Sequence, residues 1–127
     1  MNIKTVIALA GMLAFGAPIA LAQMQGMDMQ KMMQPMMPQP GDTASTKDLK
    51  QAHMDMMKEM PMQFTGDADK DFATTMMKHH AGGIEMAKIQ LKHGKDPEMR
   101  KMAEKLIKEQ GNDNKEFATW LKKNPNR

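Results

Sequence analysis

The sequence contains no cysteine and no tyrosine among its 127 residues. Without thiols the chain cannot form disulfides, thiolate metal sites or a covalently attached haem, and it cannot carry a lipid on an N-terminal cysteine. Aromatic residues make up only 4% of the chain, and its lysines are interspersed with acidic residues. We expect no nucleic-acid partner, because such partners call for clustered basic and aromatic side chains.

Large hydrocarbon side chains are scarce as well. Beyond residue 22 there is no valine, and isoleucine, leucine, phenylalanine and tryptophan together number eleven. Because small domains are already marginally stable, we expect methionines to complete the core, Met99 and Met102 among them. We also expect help from bound metal or a second copy. A homodimer that completes a four-helix bundle and a monomer held by methionine packing both fit this composition.

The first 22 residues predict a secretory signal peptide. Lys4 precedes an apolar stretch at 6–21, and the A-L-A segment at 20–22 has the pattern of a cleavage site. An uncleaved membrane anchor is the alternative, which the short stretch with its two glycines and one proline disfavours. We therefore expect cleavage after Ala22, and a periplasmic or secreted chain that does not stay in the membrane.

Methionine is abundant, with 19 residues, and seven of them fall within residues 23–40. Residues 23–46 contain no leucine, isoleucine, valine or aromatic residue, which predicts a flexible, disordered tail rather than a core element. Thioether sulfur is soft and favours Cu(I) or Ag(I). An oxidant-scavenging or merely low-complexity tail is the alternative. The predicted tail ligands are Met24, Met27, Met29, Met32, Met33, Met36 and Met37.

Residues 47–123 carry helical periodicity and no strand pattern, which predicts an all-α domain. Its short connections favour a small antiparallel bundle of three main helices, followed by residues 124–127 as a C-terminal end. Asp48 is expected in the first turn of the first helix, where the helix dipole favours a carboxylate. The predicted helices run from a cap at Ser45 or Thr46 to Pro61, from Asp67 to His93, and from Asp96-Pro97 to Lys123.

Metal-binding residue types cluster in the predicted second helix. The segment M-M-K-H-H at 76–80 is followed by Met86, and helical spacing places Met76, His79 and Met86 on one face. Adjacent residues point about 100° apart on a helix, so His79 and His80 need not bind one ion. Thioether and imidazole together favour copper, as Cu(I) on sulfur or Cu(II) on nitrogen. An ordinary hydrogen-bonded core histidine is the alternative.

Four further residues bear on this candidate site. His53 and Met57, one turn apart in the predicted first helix, are candidates to complete it. Gly82 and Gly83 lie on the site's own face, and close approach of another helix or of a ligand would explain two glycines inside a helix. No HExxH, paired ExxH or nucleophile motif is present, so we expect a binding protein rather than an enzyme. A cuprous oxidase would need additional histidine clusters.

The stretch D-x-D-F-x-x-x-M-M-x-H-H-x-x-G-I-E-M-A-x-x-x-L at 69–91 resembles the signature of the domain-of-unknown-function family DUF305. Asp96-Pro97, Ala103, Ile107, Gln110 and Trp120-Leu121 are similar to its second half. The resemblance covers about residues 50–123. It implies an exported, ferritin-like helical bundle linked to copper binding and copper tolerance, with the metal motif at Met76, His79, His80 and Met86.

The chain departs from that pattern at four positions. The family usually has glutamate and an aliphatic residue where Asp113 and Asn114 stand, methionine at Phe117 and alanine at Gly83. A ligand from the last helix is therefore not carried over. The tail is separately similar in composition to the methionine-rich segments of periplasmic copper and silver resistance proteins.

The sequence thus predicts an exported protein that binds copper, with silver as a second soft ion. It would sequester the metal or hand it to an exporter or metallochaperone. A methionine-rich, chaperone-like interaction module without a specific metal is the alternative, because methionine surfaces adapt to many apolar partners.

Overall fold

A computed structural model describes residues 29–125 of the chain. These residues form four α-helices and, within that range, no strand, so the predicted all-α class is confirmed. The predicted signal peptide and the tail residues Met24 and Met27 lie outside the described residues. The helices are α1 (Met29–Met33), α2 (Ala44–Glu59), α3 (Ala68–His93) and α4 (Pro97–Lys123), with a 3-10 turn at Gln34–Met36.

The chain divides into two compact units, residues 1–33 and residues 34–127. The first unit contains α1, so part of the predicted tail is helical. In the second unit, the segment before α2 is held by the Asp42 carboxylate. It accepts a hydrogen bond from the Gln39 backbone N–H at 2.7 Å and pairs with Lys50 Nζ at 2.8 Å. The helical domain therefore begins before residue 47.

The N-terminus of α2 differs from the prediction. Thr43 is the N-cap, and its hydroxyl accepts a hydrogen bond from the Thr46 backbone N–H at 3.2 Å. The expected caps at Ser45 and Thr46 are wrong, because the helix already starts at Ala44. For the same reason Asp48 lies beyond the first turn, where the unpaired N–H groups of the helix end no longer reach it.

The helix boundaries around α3 and α4 follow the sequence signals. The Asp67 carboxylate caps α3 by accepting from the Asp69 and Lys70 backbone N–H groups at 3.0 Å, and Gly94 ends the helix. Asp96 caps α4, and proline follows in the first turn. α4 continues without a break through its internal glycine, as predicted.

α3 packs against both other long helices, each time antiparallel. Asp48 near the start of α2 meets His93 at the end of α3, and Lys70 at the start of α3 reaches the backbone carbonyl of Pro125 beyond the end of α4. Arg100 Nη1 donates to the carbonyls of Leu91 at 2.6 Å and Gly94 at 3.0 Å, which satisfies the C-terminal end of α3. None of the described helices is both long and apolar enough to cross a membrane.

The core is made of small residues rather than methionine. Within the described chain, the buried hydrophobic residues are Ala73, Ala87 and Ala103. The expectation that Met99 and Met102 are core is wrong, since they are 45% and 57% exposed. Ala103, next to Met102 in the chain, is the buried residue of α4. A small side chain at a helix contact lets the helix axes approach closely.

Candidate metal centre

His80 is the buried histidine of the predicted motif. It lies on α3 with 8% of its surface exposed, and its ring contacts Phe117 of α4 at a centroid distance of 5.9 Å. Phe117 in turn packs edge-on against Phe72, at 5.7 Å. The Nδ1 atom of His80 is sealed from solvent and has no hydrogen-bond partner. An imidazole is therefore held in the α3–α4 interface without the hydrogen bond that an ordinary core histidine makes at this nitrogen.

His79, the neighbouring imidazole, is exposed to solvent. The two ring centroids lie 6.3 Å apart with an interplanar angle of 62°. Two imidazoles on one tetrahedral ion would place their centroids about 5 Å apart, given metal–nitrogen distances of about 2.0 Å. The two histidines thus occupy different environments: His80 belongs to the helix interface and His79 to the surface.

The two glycines after this pair allow two different helices to approach α3. A Cβ atom built on Gly82 would lie 2.6 Å from Met56 Sδ of α2 and 2.7 Å from Met56 Cβ. One built on Gly83 would lie 2.6 Å from Gln110 Oε1 of α4. Close approach of another helix, one of the two explanations considered for this pair, therefore accounts for both glycines.

Two carboxamides of α4 face α3 in the same region. Asn114 Nδ2 donates a hydrogen bond to the backbone carbonyl of Met77 at 3.1 Å. The oxygens Asn114 Oδ1 and Gln110 Oε1 are both sealed from solvent and have no hydrogen-bond partner. Together with His80 Nδ1 they are three unpaired polar atoms in one helix interface, which is unusual because buried polar groups are nearly always paired.

The other predicted ligands on helices stand around this interface. Met76, one turn before His80 on α3, is half-buried, as is Met86. On α2, His53 is half-buried and Met57 is 42% exposed. α3 therefore brings Met76 and His80 to one side of a helix, while His53 and Met57 belong to the neighbouring helix.

The described tail methionines are distributed over two units. Met29, Met32 and Met33 lie in α1 of the first unit, and Met32 is 59% exposed. In the second unit, Met36 closes the 3-10 turn and is half-buried, and Met37 is 48% exposed. The thioethers of Met32 and Met37 are thus accessible to an ion from solution.

Charged pairs tie α2 to α3 at both ends. The Asp48 carboxylate lies 2.7 Å from both His93 Nε2 and Lys92 Nζ, and the hydrogen bonds from His93 and then Lys92 hold the pKa of Asp48 below its usual range. At the other end Lys78 Nζ donates to Glu59 at 2.9 Å and lowers the pKa of that carboxyl group. His93 thus has an interhelical partner besides its place at the C-terminal end of the α3 dipole.

Carboxylates do not gather at the histidine pair. Glu85 is exposed and pairs with Lys88 at 2.6 Å, so it belongs to the surface. Among residues 29–125, no three His, Asp or Glu side chains come together as a metal site. A metal held in the described region would therefore need methionine or carboxamide groups beside its histidine.

Sequence reasoning missed the two carboxamides as site residues. The family pattern singled out Gln110 only as a match and Asn114 only as a departure. Both lie one turn apart on the face that meets α3. The available signal was the position itself, because a carboxamide on a buried stripe needs partners that an aliphatic side chain does not.

The described residues define a small antiparallel helical bundle with a buried imidazole where α3 meets α4. The family model described as "Domain of unknown function (DUF305)" matches residues 4–121. The chain therefore belongs to the DUF305 family, and the match extends further towards the N-terminus than the motif resemblance did. A comparison with curated proteins found no match.

Proposed function

We propose that this is an exported copper-binding protein that sequesters Cu(I) or Cu(II), with silver as a second soft ion, or hands the metal on. The observation that carries the proposal is His80, a buried histidine without a hydrogen bond at Nδ1, one turn from the half-buried Met76. Leaving a buried polar group unpaired costs about 1–3 kcal/mol. Ligation of a metal by the imidazole would account for keeping such a group.

Two kinds of site support this function. The helical site is built on Met76, His79, His80 and Met86, with His53 or Met57 of α2 as further ligands. The tail site consists of thioethers, including the exposed Met32 and Met37. Thioethers select Cu(I) and cannot be captured in a disulfide, which suits an oxidising compartment. Transfer to an exporter or metallochaperone would use the exposed thioethers.

Competition between the protein and a Cu(I) chelator tests the proposal on residues 23–127. We expect His80→Ala to lose the tightest site. Replacing the seven tail methionines with leucine should lower the stoichiometry and spare that site. His93→Ala is the matched control: this histidine already pairs with Asp48, so the substitution should leave Cu(I) binding unchanged. The proposal fails if the wild type takes up no more Cu(I) than a variant with all its methionines changed to leucine.

A groove between α2 and α3 favours a second candidate function, that of a chaperone-like interaction module. The groove encloses about 570 Å³, and apolar atoms of Met56, Gly82 and Ile89 contribute to its lining beside the charged Asp55 and Lys88. Such a surface suits an amphipathic segment of another protein. Methionine-to-leucine replacement separates the two functions, because leucine keeps the apolar surface but removes the sulfur. Protection of an unfolded client that survives this replacement, without Cu(I) binding in the wild type, would favour the module.

A further inference from the structure

The helices α2 and α4 pack on nearly opposite sides of α3. Gly82 lies against Met56 of α2, and His80 lies against Phe117 of α4. Residues two apart on a helix point about 200° apart, so the two contacts lie on almost opposite sides of the α3 axis. The three long helices therefore form a single layer with α3 in the middle, and this layer has two broad faces.

One of the two faces is charged. The groove between α2 and α3 opens on it, and Lys78 and Glu85 are among the residues that line the groove. On α3 these two residues lie on one side of the line through Gly82. His79 and Met86, the residues that follow them in the chain, are rotated by about 100° and lie on the other side of that line. His79 and Met86 therefore belong to the opposite face of the layer.

The opposite face continues onto α2 through Met57. Met56 is the residue of α2 that meets α3. Asp55, which precedes it, lines the charged groove. Met57, which follows it, is rotated by about 100° in the other direction. Met57 therefore lies on the same face as His79 and Met86.

The same face continues onto α4 through Phe117. Phe72 lies about two turns before His79 on α3, and its ring packs against that of Phe117 at 5.7 Å. Met99 precedes Phe117 by about five full turns and so lies on the same side of α4, with Met102 one turn later. We call this surface the methionine face. Its large hydrophobic side chains that are 42–58% exposed are Met57, Phe72, Met99 and Met102.

The size and chemistry of the methionine face suit a second copy of this chain. The helices α2, α3 and α4 have 16, 26 and 27 residues. At a rise of about 1.5 Å per residue and a spacing of about 10 Å, they cover about 1,000 Å². A stable interface buries about 800 Å² on each partner. Under twofold symmetry the same patch meets itself, and apolar side chains are complementary to their own copies.

His79 lies near the centre of the methionine face. It is exposed and close to the middle of α3, which is the middle helix of the layer. Among residues 29–125, no three His, Asp or Glu side chains come together as a metal site, so one copy does not surround His79 with such ligands. In a twofold dimer, the residue nearest the axis meets its own counterpart. A second copy would therefore supply the imidazole that His79 lacks.

We propose that the methionine face is a homodimer interface in which His79 of the two copies binds one ion. Resting on the proposed function, this ion is copper, which imidazole and thioether ligands favour. Each separate copy leaves His79 and the exposed methionines of this face open to solvent, so the ion can bind before the copies associate. Copper at this site links two chains, whereas the site proposed at His80 lies within one.

Sedimentation velocity of residues 23–127 tests the interface without metal. The wild type should dimerise at micromolar concentration. Met102→Glu should weaken dimerisation more than about 100-fold, because twofold symmetry brings two like charges into one apolar interface. Gln51→Glu, the matched control, adds the same charge beside the groove on the other face and should leave the dimer unchanged. Met57→Glu serves if Met102→Glu does not fold by circular dichroism. A monomeric wild type, or equal effects of test and control substitutions, would overturn the proposal.

Chelator-buffered Cu(I) tests the shared ion. At a free concentration about ten times the dissociation constant of the site, Cu(I) should tighten dimerisation about tenfold. His79→Ala should abolish this tightening, and His93→Ala should retain it, since His93 pairs with Asp48. Cu(I) uptake without tightening, or tightening that survives in His79→Ala, would overturn the shared site. A wild type that dimerises through the methionine face but takes up no Cu(I) would support the interface and refute the proposed function, so the two failures are distinguishable.

Discussion

Adjacent glycines on α3 should respond in opposite ways to the same substitution. Gly82 and Gly83 are both helical, so alanine at either position should gain about 1 kcal/mol of helix propensity. They differ in what the added methyl group meets. At Gly82 it meets Met56 Sδ at 2.6 Å and also Met56 Cβ at 2.7 Å. At Gly83 it meets only the end of the Gln110 side chain, with Oε1 at 2.6 Å and the next atoms at 3.5 Å.

The clash at Gly82 cannot be relieved by rotating a side chain, because a Cβ atom moves only with its backbone. α2 must shift away from α3, and overpacking of this kind costs about 1–3 kcal/mol. With a cost near the upper end and the propensity gain subtracted, Gly82→Ala should destabilise the protein by about 2 kcal/mol. For a domain of this size that lowers Tm by about 8–16 °C. Adding Met56→Ala to the Gly82→Ala variant should restore only part of the lost stability, because the Cβ atom of residue 56 remains.

Gly83→Ala should be neutral or stabilising. The Gln110 carboxamide can swing aside through its own torsions, so most of the propensity gain of about 1 kcal/mol is retained. Thermal unfolding followed by circular dichroism at 222 nm measures both variants under one condition. Equal Tm changes for the two substitutions would refute the reasoning, because propensity is the same and only the contacts differ. A Gly82→Ala protein as stable as the wild type would show that α2 does not lie against Gly82.

Three further predictions concern the cap, the acid response and the assembly. Thr43→Ala should cost about 1 kcal/mol in urea unfolding, whereas Ser45→Ala should change stability by less than about 0.5 kcal/mol; equal losses would contradict the cap assignment. Asp71 accepts hydrogen bonds from the backbone N–H and hydroxyl of Thr65 and from the Gly66 N–H, and the Thr65 backbone bond is the main cause of its lowered pKa. The stability that the ionised Asp71 carboxylate contributes is therefore fully present above the pKa that Asp71 has in the unfolded chain. It is lost as the pH falls through the lower pKa of Asp71 in the folded protein. The difference in urea midpoint between wild type and Asp71→Asn should therefore shrink as the pH is lowered from about 6 to about 2. A difference independent of pH would contradict this role of the Asp71 carboxylate. Light scattering of residues 23–127 should give the mass of a dimer, because several large apolar side chains of the described bundle are exposed, Phe72 by 58%; a monomer at micromolar concentration would contradict this.

Helix ends were predictable where the signal is local. Asp67, Gly94 and the Asp96-Pro97 pair act through backbone groups within a few residues, so their pattern sufficed for α3 and α4. The start of α2 failed because three neighbouring hydroxyl residues could each have been the cap. The structure selects Thr43, whose hydroxyl also contacts those of Ser45 and Thr46. The local sequence pattern limits the cap of α2 to a few hydroxyl residues but does not determine which of them is used.

Burial was harder to predict than helix position, because it depends on which faces meet. Met102 was expected in the core, yet it is exposed, and its neighbour Ala103 is buried. The same uncertainty applied to the adjacent histidines. Helical spacing placed His79 on the face of Met76 and Met86, whereas His80 is the histidine that contacts Phe117 of α4. Both outcomes depend on how α3 and α4 pack together, and the hydrophobic periodicity of a single helix does not determine that packing.

The scarcity of large hydrocarbon residues and the abundance of methionine have one structural consequence. A thioether packed in a core is not accessible to an ion. In a bundle with a methionine core, the sulfur atoms that stabilise the fold would therefore not be available as metal ligands. Here the buried hydrophobic residues of the described chain are Ala73, Ala87 and Ala103. Met57, Met99 and Met102 remain exposed. An alanine contact gives less hydrophobic stabilisation per residue than leucine would, about 25 cal/mol for each Å² not buried. In return, these methionines stay within reach of solvent, and under the proposed function bound metal would add stability that the core does not supply.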